Sequence, residues 1–202
     1  GESLREGMAD VYAEELYLLS EREMVADDTW ATSMTISTGI EHLEEPPDLI
    51  FAGFKTADGE TGHTGPQTEW CLSISDSLPD YPLISHVVAI DIDEDERVVR
   101  TKRLVEGDVS EIETVETELP AFIVADPEFE PTYRRAEYRL RHKELREETR
   151  TRAAEFGEYL DDDTDSDPTD WENFHMWGHE YLNLDPDFIG LDGSPTIVAG
   201  VD

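Results

Sequence analysis

The sequence is poor in basic residues, in cysteine and in long apolar stretches. Only 15 of its 202 residues are Lys or Arg, against 50 Asp or Glu, so the formal net charge is -35. The single cysteine, Cys71, excludes an intramolecular disulfide framework and a cysteine-rich zinc site. No apolar run approaches the ~20 residues of a membrane helix, so we expect no membrane insertion. The low pI disfavours a general nucleic-acid binder, because phosphate-backbone binding needs a basic surface.

The acidic excess indicates adaptation to high salt. Self-repulsion at this charge opposes the compact state in dilute buffer, but at ~1 M salt the Debye length falls to about 3 Å. Scarce lysine and a hydrophobic fraction of 38% fit the same interpretation. We therefore predict a haloarchaeal protein from the cytoplasm of an extreme halophile, or from the virion of a haloarchaeal virus. A disordered acidic chain is the alternative, and the aromatic content and strand patterns disfavour it.

The hydrophobic pattern predicts an α+β fold with a mainly antiparallel sheet of about six or seven strands. Residues 3–24 carry an apolar stripe at helical spacing and predict an N-terminal helix. The following hundred or so residues alternate apolar and polar positions between polar turns, which is typical of half-exposed antiparallel strands. The predicted strands are those around Trp30–Ile36, 49–54, Trp70–Ile74, a hairpin of 86–93 with 97–105, Ile112–Val115 and Ala121–Val124.

The C-terminal third reads as helical. Pro131 ends the preceding segment and Thr132 can cap a long Arg-rich helix over residues 132–160, and an acidic break follows at 161–170. A short aromatic helix is predicted over 171–182. We therefore predict a sheet domain over 1–130 and a helical C-terminal segment over 131–202, together one structural domain with an appendage.

Charge asymmetry in the long helix is the strongest functional signal. Residues 134–152 hold eight basic and four acidic side chains, a local net charge of +4. Arginine pairs bidentately with carboxylate or phosphate, so this helix predicts docking on an acidic surface; internal pairing with the chain's own acids is the alternative. The basic residues are Arg134, Arg135, Arg139, Arg141, Lys143, Arg146, Arg150 and Arg152.

The C-terminal aromatics predict a second docking face, made of Trp171, Phe174, Trp177 and Tyr181. With the Arg-rich helix, they favour a non-enzymatic assembly or interaction protein, a subunit of a larger oligomer or a virion structural component. The expected partner is a second copy or another acidic protein subunit. Nucleic acid is a further alternative partner for residues 134–152.

The sequence His175-Met176-Trp177-Gly178-His179-Glu180 is the main metal candidate. Two histidines four residues apart on a helix share one face and can bind one divalent transition metal, with Glu180 as a third ligand or a base. Further ligands could come from His63, His86 or Asp185. This HxxxHE pattern supports the alternative hypothesis of a metal-dependent hydrolase; otherwise we predict no cofactor.

The acidic break has the spacing of a calcium-binding loop and resembles the EF-hand loop over 12 residues. Ser166 stands where the loop needs glycine, and Pro168 has no amide to donate. A solvated linker is therefore the favoured interpretation. The candidate calcium ligands are Asp161, Asp163, Asp165 and Glu172.

Two further motifs are weaker. Asp91 and Asp93 project from one face of a strand, as a magnesium site requires, but the solvent-exposed face and turn of a hairpin are the favoured interpretation. Residues 59–66 (GETGHTGP) allow close approach of backbone to a phosphate. They lack the P-loop lysine, no helix is predicted after them, and Glu60 would repel an anion. We interpret them as a strand connection or an interaction loop.

Overall fold

The computed structural model describes residues 15–25, 27–56, 59–105, 111–129 and 174–195. These residues fall into two compact units, one containing 15–20 and 174–178 and the other containing 21–129 and 179–195. The Arg-rich segment and the acidic break lie outside the described residues. The predicted domain boundary near residue 130 therefore stays a prediction.

The first unit contains a two-stranded parallel sheet. Strand β1 (Leu16–Leu19) pairs with strand β7 (Phe174–Trp177), so that Leu16 lies beside Phe174 and Leu19 beside Trp177. The ring of Tyr17 stacks on His175 at 4.7 Å between centroids. The predicted helix over residues 3–24 is wrong for its described part, because 16–19 are strand and Arg22–Met24 form a single 3-10 turn.

The second unit contains a mixed sheet of five strands. Its strands are β2 (Leu49–Gly53), β3 (Leu83–Asp93), β4 (Val98–Val105), β5 (Glu111–Glu118) and β6 (Ala121–Ala125). Their spatial order is β2-β6-β3-β4-β5. β6 runs parallel to both β2 and β3, whereas β3, β4 and β5 pair antiparallel. The fold is therefore mixed α/β, and the prediction of a mainly antiparallel sheet fits only one half of it.

Two helices interrupt what the alternation pattern predicted to be strands. Helix α1 (Thr29–Glu41) begins at Asp28, whose side chain accepts hydrogen bonds from the amides of Trp30 and Ala31. Helix α2 (Thr64–Ser73) replaces the predicted strand around Trp70. Both predictions failed because most of the residues that these helices bury are small or polar, with Leu72 of α2 as the exception, so no apolar stripe marks their inner faces. The buried positions of α1 are Ala31, Ser33, Thr35, Ser37 and Gly39.

The core of this unit lies around β6. Phe122 and Val124 pack with Leu72 and Tyr81 in one cluster. Ile123, on the opposite face of the strand, packs with Ile84 and Val87 in another. A strand buried on both faces needs a continuous apolar sequence, and residues 121–125 (AFIVA) supply it.

The C-terminal segment 179–195 packs against the chain near residues 21–28. It contains short helices α3 (His179–Leu182) and α4 (Gly190–Gly193), with a 3-10 turn at Pro186–Phe188 between them. The amide of Gly190 donates to an Asp27 carboxylate oxygen, and the amide of Asp28 donates to Ser194 Oγ at 2.8 Å. Among the described residues, no helix combines the length and apolar character needed to cross a membrane.

Candidate functional site

A pocket of about 340 Å³ opens where parallel strand β2 ends and helix α2 begins. This is the carboxyl edge of the parallel strands, where α/β sheets usually bind ligands. Its lining combines apolar side chains from α1, β2 and β6 with polar residues of the β2–α2 loop and of α2. The lining includes Ile36, Ile50, Phe54, Lys55, Thr61, Gly62 and Gly65.

The loop between β2 and α2 is folded back on itself. The amide of Glu60 donates to the carbonyl oxygen of Thr56 at 3.2 Å. Glu60 and Gly62 both have positive φ, 48° and 66°, a conformation that glycine adopts easily. The loop therefore ends in a tight glycine turn directly before Thr64, the first residue of α2.

Helix α2 starts at the pocket and contradicts our expectation that no helix follows the glycine-rich segment. Pro66 lies in its first turn, where a missing amide hydrogen does no harm. The amides of such a first turn have no acceptor within the helix and carry a partial positive charge. A proline just inside a helix start was the sequence signal that we missed.

Gly65 allows α2 to lie close against the sheet. A Cβ placed there would be 3.2 Å from a methyl carbon of Val124 and 3.6 Å from Cβ of Ala52. The hydroxyl of Ser33 donates to the carbonyl oxygen of Thr64 at 3.1 Å and so ties α1 to the same helix start. The glycines of this segment thus have two separate tasks, the turn at Gly62 and the close packing at Gly65.

The charge at the pocket mouth differs from what the sequence suggested. Glu60 was expected to repel an anion, but its carboxylate pairs with the Lys55 ammonium at 3.7 Å and is 66% exposed. Lys55 also lines the pocket. A cationic group is therefore present even though the P-loop lysine is missing from the glycine-rich segment itself.

His86 was considered only as an optional metal ligand, yet the structure gives it an unusual position. It interrupts β3 with a φ of 58°, where the register of β3 with β6 shifts. Its Nδ1 lies 3.2 Å from Asp126 Oδ2, and its ring lies 4.9 Å from the ring of Phe54, another pocket-lining residue. Positive φ at a β-bulge often marks a functional site.

The structure does not place the HxxxHE residues on one helix. His175 lies on β7, whereas His179 and Glu180 begin α3. The predicted helix over 171–182 is therefore wrong for 174–177 and confirmed for 179–182, and 171–173 lie outside the described residues. The i, i+4 geometry behind the metal prediction is therefore missing, because strand residues project with a period of two. Metal binding by His175, His179 and Glu180 stays a prediction, but a shared helix face no longer supports it.

His179 instead pairs with Glu21. Its Nδ1 is 2.5 Å from Glu21 Oε2, and its backbone amide donates to the same oxygen at 2.8 Å. The hydrogen bond to Glu21 raises the pKa of His179. Burial acts to raise the pKa of Glu21, but the hydrogen bonds from His179 outweigh it and lower that pKa overall.

The other predicted site residues are dispersed or outside the described residues. Phe174 and Trp177 lie on β7, and Tyr181 lies on α3 with its ring 5.8 Å from that of His42. Asp93 accepts a hydrogen bond from the amide of Glu96 in the β3–β4 turn, as the hairpin interpretation expects. All eight basic residues of 134–152, Trp171 and the calcium-loop candidates Asp161, Asp163, Asp165 and Glu172 lie outside the described residues.

Comparison with known proteins gives a consistent result. Residues 1–156 match the family model of the electron transfer flavoprotein domain. The chain is 29% identical over 198 residues to caffeyl-CoA reductase-Etf complex subunit CarD of Acetobacterium woodii, covering 98% of this chain and 60% of that protein. It is 30% identical over 193 residues to protein FixA of Azotobacter vinelandii, covering 94% and 56%. It is 29% identical over 187 residues to the electron transfer flavoprotein subunit beta of Clostridium acetobutylicum, covering 92% and 56%.

These matches correct our functional interpretation. The prediction of a non-enzymatic assembly protein, including a virion component, is wrong, and so is the metal-dependent hydrolase, because the matching family and relatives are electron-transfer proteins. The haloarchaeal structural-protein assignment is wrong for the same reason, since these relatives are bacterial electron-transfer proteins. The chain spans about 60% or less of the length of these relatives.

Proposed function

The chain belongs to the electron transfer flavoprotein family, and from that premise we propose that it is a β-type subunit whose pocket beside α2 holds the nucleotide part of a flavin. The observation that carries the proposal is the strand–glycine loop–helix unit at the carboxyl edge of β2. When bound, a flavin supplies electron-transfer chemistry that ordinary side chains lack.

The residues of the pocket fit a phosphate-bearing planar group. The glycine turn at Gly62 and the helix start at Thr64 offer backbone amides to an anion, as helix N-termini commonly do. Lys55 adds a cationic group at the mouth. Ile36 and Ile50, which also line the pocket, provide apolar surface for a ring. An apolar slot with a few convergent polar groups is the usual composition of a small-molecule site.

We also propose that the chain works with a partner subunit. Relatives are described as a subunit of a reductase-Etf complex and as the beta subunit of an electron transfer flavoprotein, which supports a protein partner. An acidic partner surface, and docking through residues 134–152 or the aromatic face, stay predictions. Reversing the charge at Arg139 and Arg146 tests docking of residues 134–152 on an acidic surface, because the complex should then be lost in size-exclusion chromatography.

The pocket is tested by titrating the purified full chain with FAD, FMN and ADP while following flavin fluorescence or displacement. We expect saturable binding, and competition between ADP and FAD if the adenylate part occupies the pocket. Lys55→Met should weaken binding about tenfold, equivalent to the loss of ~1.4 kcal/mol. Lys102→Met, at an exposed position of β4 in the antiparallel half, is the matched control and should bind normally.

Two results would contradict the proposal. One is the failure of every flavin and adenine nucleotide to bind the chain in saturable fashion. The other is equal weakening by Lys55→Met and Lys102→Met, since a pocket beside α2 must distinguish them. The affinity of each variant for the nucleotide should also be measured at several salt concentrations. Loss of one phosphate contact should make the affinity of Lys55→Met less dependent on salt.

A further inference from the structure

Three potential metal ligands from distant parts of the sequence meet at the start of the C-terminal segment. Glu21 and Glu23 each offer a carboxylate oxygen and His179 offers a ring nitrogen, and these atoms all lie within 4.8 Å of one another. The HxxxHE pattern drew attention to His179 but gave no indication of these two glutamates, because more than 150 residues separate them in sequence.

The donor set suits a divalent transition metal. One imidazole and two carboxylates carry a net charge of -2, and imidazole favours zinc-like ions over calcium or magnesium. Ligand atoms of a tetrahedral zinc site with bonds of 2.0–2.2 Å lie about 3.4 Å apart. His179 Nδ1 and Glu21 Oε2 are now 2.5 Å apart, so the Glu21 side chain, 37% exposed, has to move by about 1 Å.

The position of the cluster suggests what a metal would do. It lies where segment 179–195 meets residues 21–28, beside the hydrogen bonds from Gly190 to Asp27 and from Asp28 to Ser194. Gly190, with a φ of 68°, packs so closely on the carbonyl oxygen of Glu23 that a Cβ could not be accommodated. These polar contacts cross the junction, and the segment also buries the side chains of Leu182 and Ile189.

We propose that Glu21, Glu23 and His179 form a structural binding site for a divalent transition ion, with zinc as the best fit, that fastens segment 179–195 to residues 21–28. Water completes the coordination, because Glu23 is exposed. A structural metal stabilises the folded state by binding it in preference to the unfolded chain. The site is separate from the pocket beside α2 and does not depend on flavin binding.

The test is calorimetric titration of the metal-stripped full chain with Zn²⁺ at ~1 M NaCl, where salt screens diffuse attraction to the many carboxylates. We expect one equivalent of tight binding and a rise in the melting temperature. Glu23→Gln should weaken that binding about tenfold or more and abolish the rise. Because Glu23 is exposed, this substitution should leave the metal-free fold intact, as circular dichroism would verify.

His179→Gln should act like Glu23→Gln. Glu180→Gln and His175→Ala are the matched controls, since they remove the neighbouring residues of the HxxxHE pattern. Both variants should still bind one equivalent of zinc. The proposal is overturned if no stoichiometric zinc binds or if Glu23→Gln binds normally. It is equally overturned if His175→Ala abolishes binding, because the metal would then belong to the set predicted from sequence spacing.

Discussion

The two halves of the five-stranded sheet differ in burial and in charge. In the parallel half, four of the five residues of β6 are buried. In the antiparallel half, no residue of β5 is buried, and four of its eight residues are glutamates. β6 lies between two strands, whereas β5 is an edge. The apolar residues of this acidic chain are thus concentrated where the sheet is covered, and acids cover the edge.

This division also separates the tasks of the two halves. The pocket and the glycine turn belong to the parallel half, where strands end together at one edge. In the antiparallel half, charges pair across strands, with Arg100 Nε 2.5 Å from Glu116 Oε2 and Arg103 Nε 3.8 Å from Glu113 Oε2. Charged edge strands resist pairing with a second sheet. The parallel half therefore contains the core and the proposed site. The charges of the antiparallel half disfavour pairing of the β5 edge with a second sheet.

The largest expected effect comes from truncating one isoleucine in each half. Ile123 in β6 is fully buried, so Ile123→Ala should lower the free energy of unfolding by ~2–5 kcal/mol through lost burial and a cavity. Ile112 in β5 is 63% exposed, so Ile112→Ala should change it by no more than about 0.5 kcal/mol. Urea denaturation of both variants measures the contrast, and similar losses would refute the division.

The second effect concerns the packing of α2 on the parallel half. Gly65→Val should lower the free energy of unfolding by ~1–3 kcal/mol, because its side chain would press on Val124. It should also weaken flavin binding, since Gly65 lines the pocket. Gly53→Val is the folding control, because a Cβ there meets no atom within 4 Å. If Gly65→Val folded as stably as Gly53→Val, close packing of α2 would not be required.

The third effect tests the start of α1, the other helix of the parallel half. Asp28 accepts hydrogen bonds from Trp30 and Ala31 at 3.0 and 2.9 Å. Asp28→Ala should therefore lower the free energy of unfolding by about 1 kcal/mol, the usual loss for a helix cap. Asp76, exposed in the loop after α2, provides a matched substitution of equal charge, Asp76→Ala, which should have little effect. Comparing the melting temperatures of the two variants distinguishes the loss of the helix cap from the loss of one negative charge.

The sequence predicted the antiparallel half well and the helices of the parallel half poorly. The hairpin of 86–93 with 97–105 is confirmed, because half-exposed strands must alternate apolar and polar residues. Residues 49–54 and 121–124 are also confirmed as strands, although their parallel pairing was missed. Their continuous apolar runs were the available signal for parallel pairing, since strands buried on both faces do not alternate apolar and polar residues.

The site was visible in the sequence only in fragments. Residues 59–66 were noted for their glycines, but the mostly small or polar buried face of α2 concealed the helix that begins at Thr64, and the signal from Pro66 was missed. His86 carried no readable signal beyond a histidine among apolar residues, because its left-handed backbone depends on the register shift with β6. Glu21 meets His179 only through the folded chain. Each missing element depends on contacts between segments far apart in sequence, and local periodicity cannot show such contacts.

The smallest effect is expected from an ion pair of the antiparallel half. Glu116→Gln removes the partner of Arg100, but both side chains are exposed, 58% and 42%, and exposed pairs stabilise little. The melting temperature should fall by less than in Asp28→Ala at low salt and should match the wild type at ~1 M NaCl, where the Debye length is about 3 Å. Removing one of fifty acids also relieves self-repulsion, which opposes the loss. A large, salt-insensitive fall would instead mean that β5 is held by specific pairing, and the two halves would then differ less than their burial suggests.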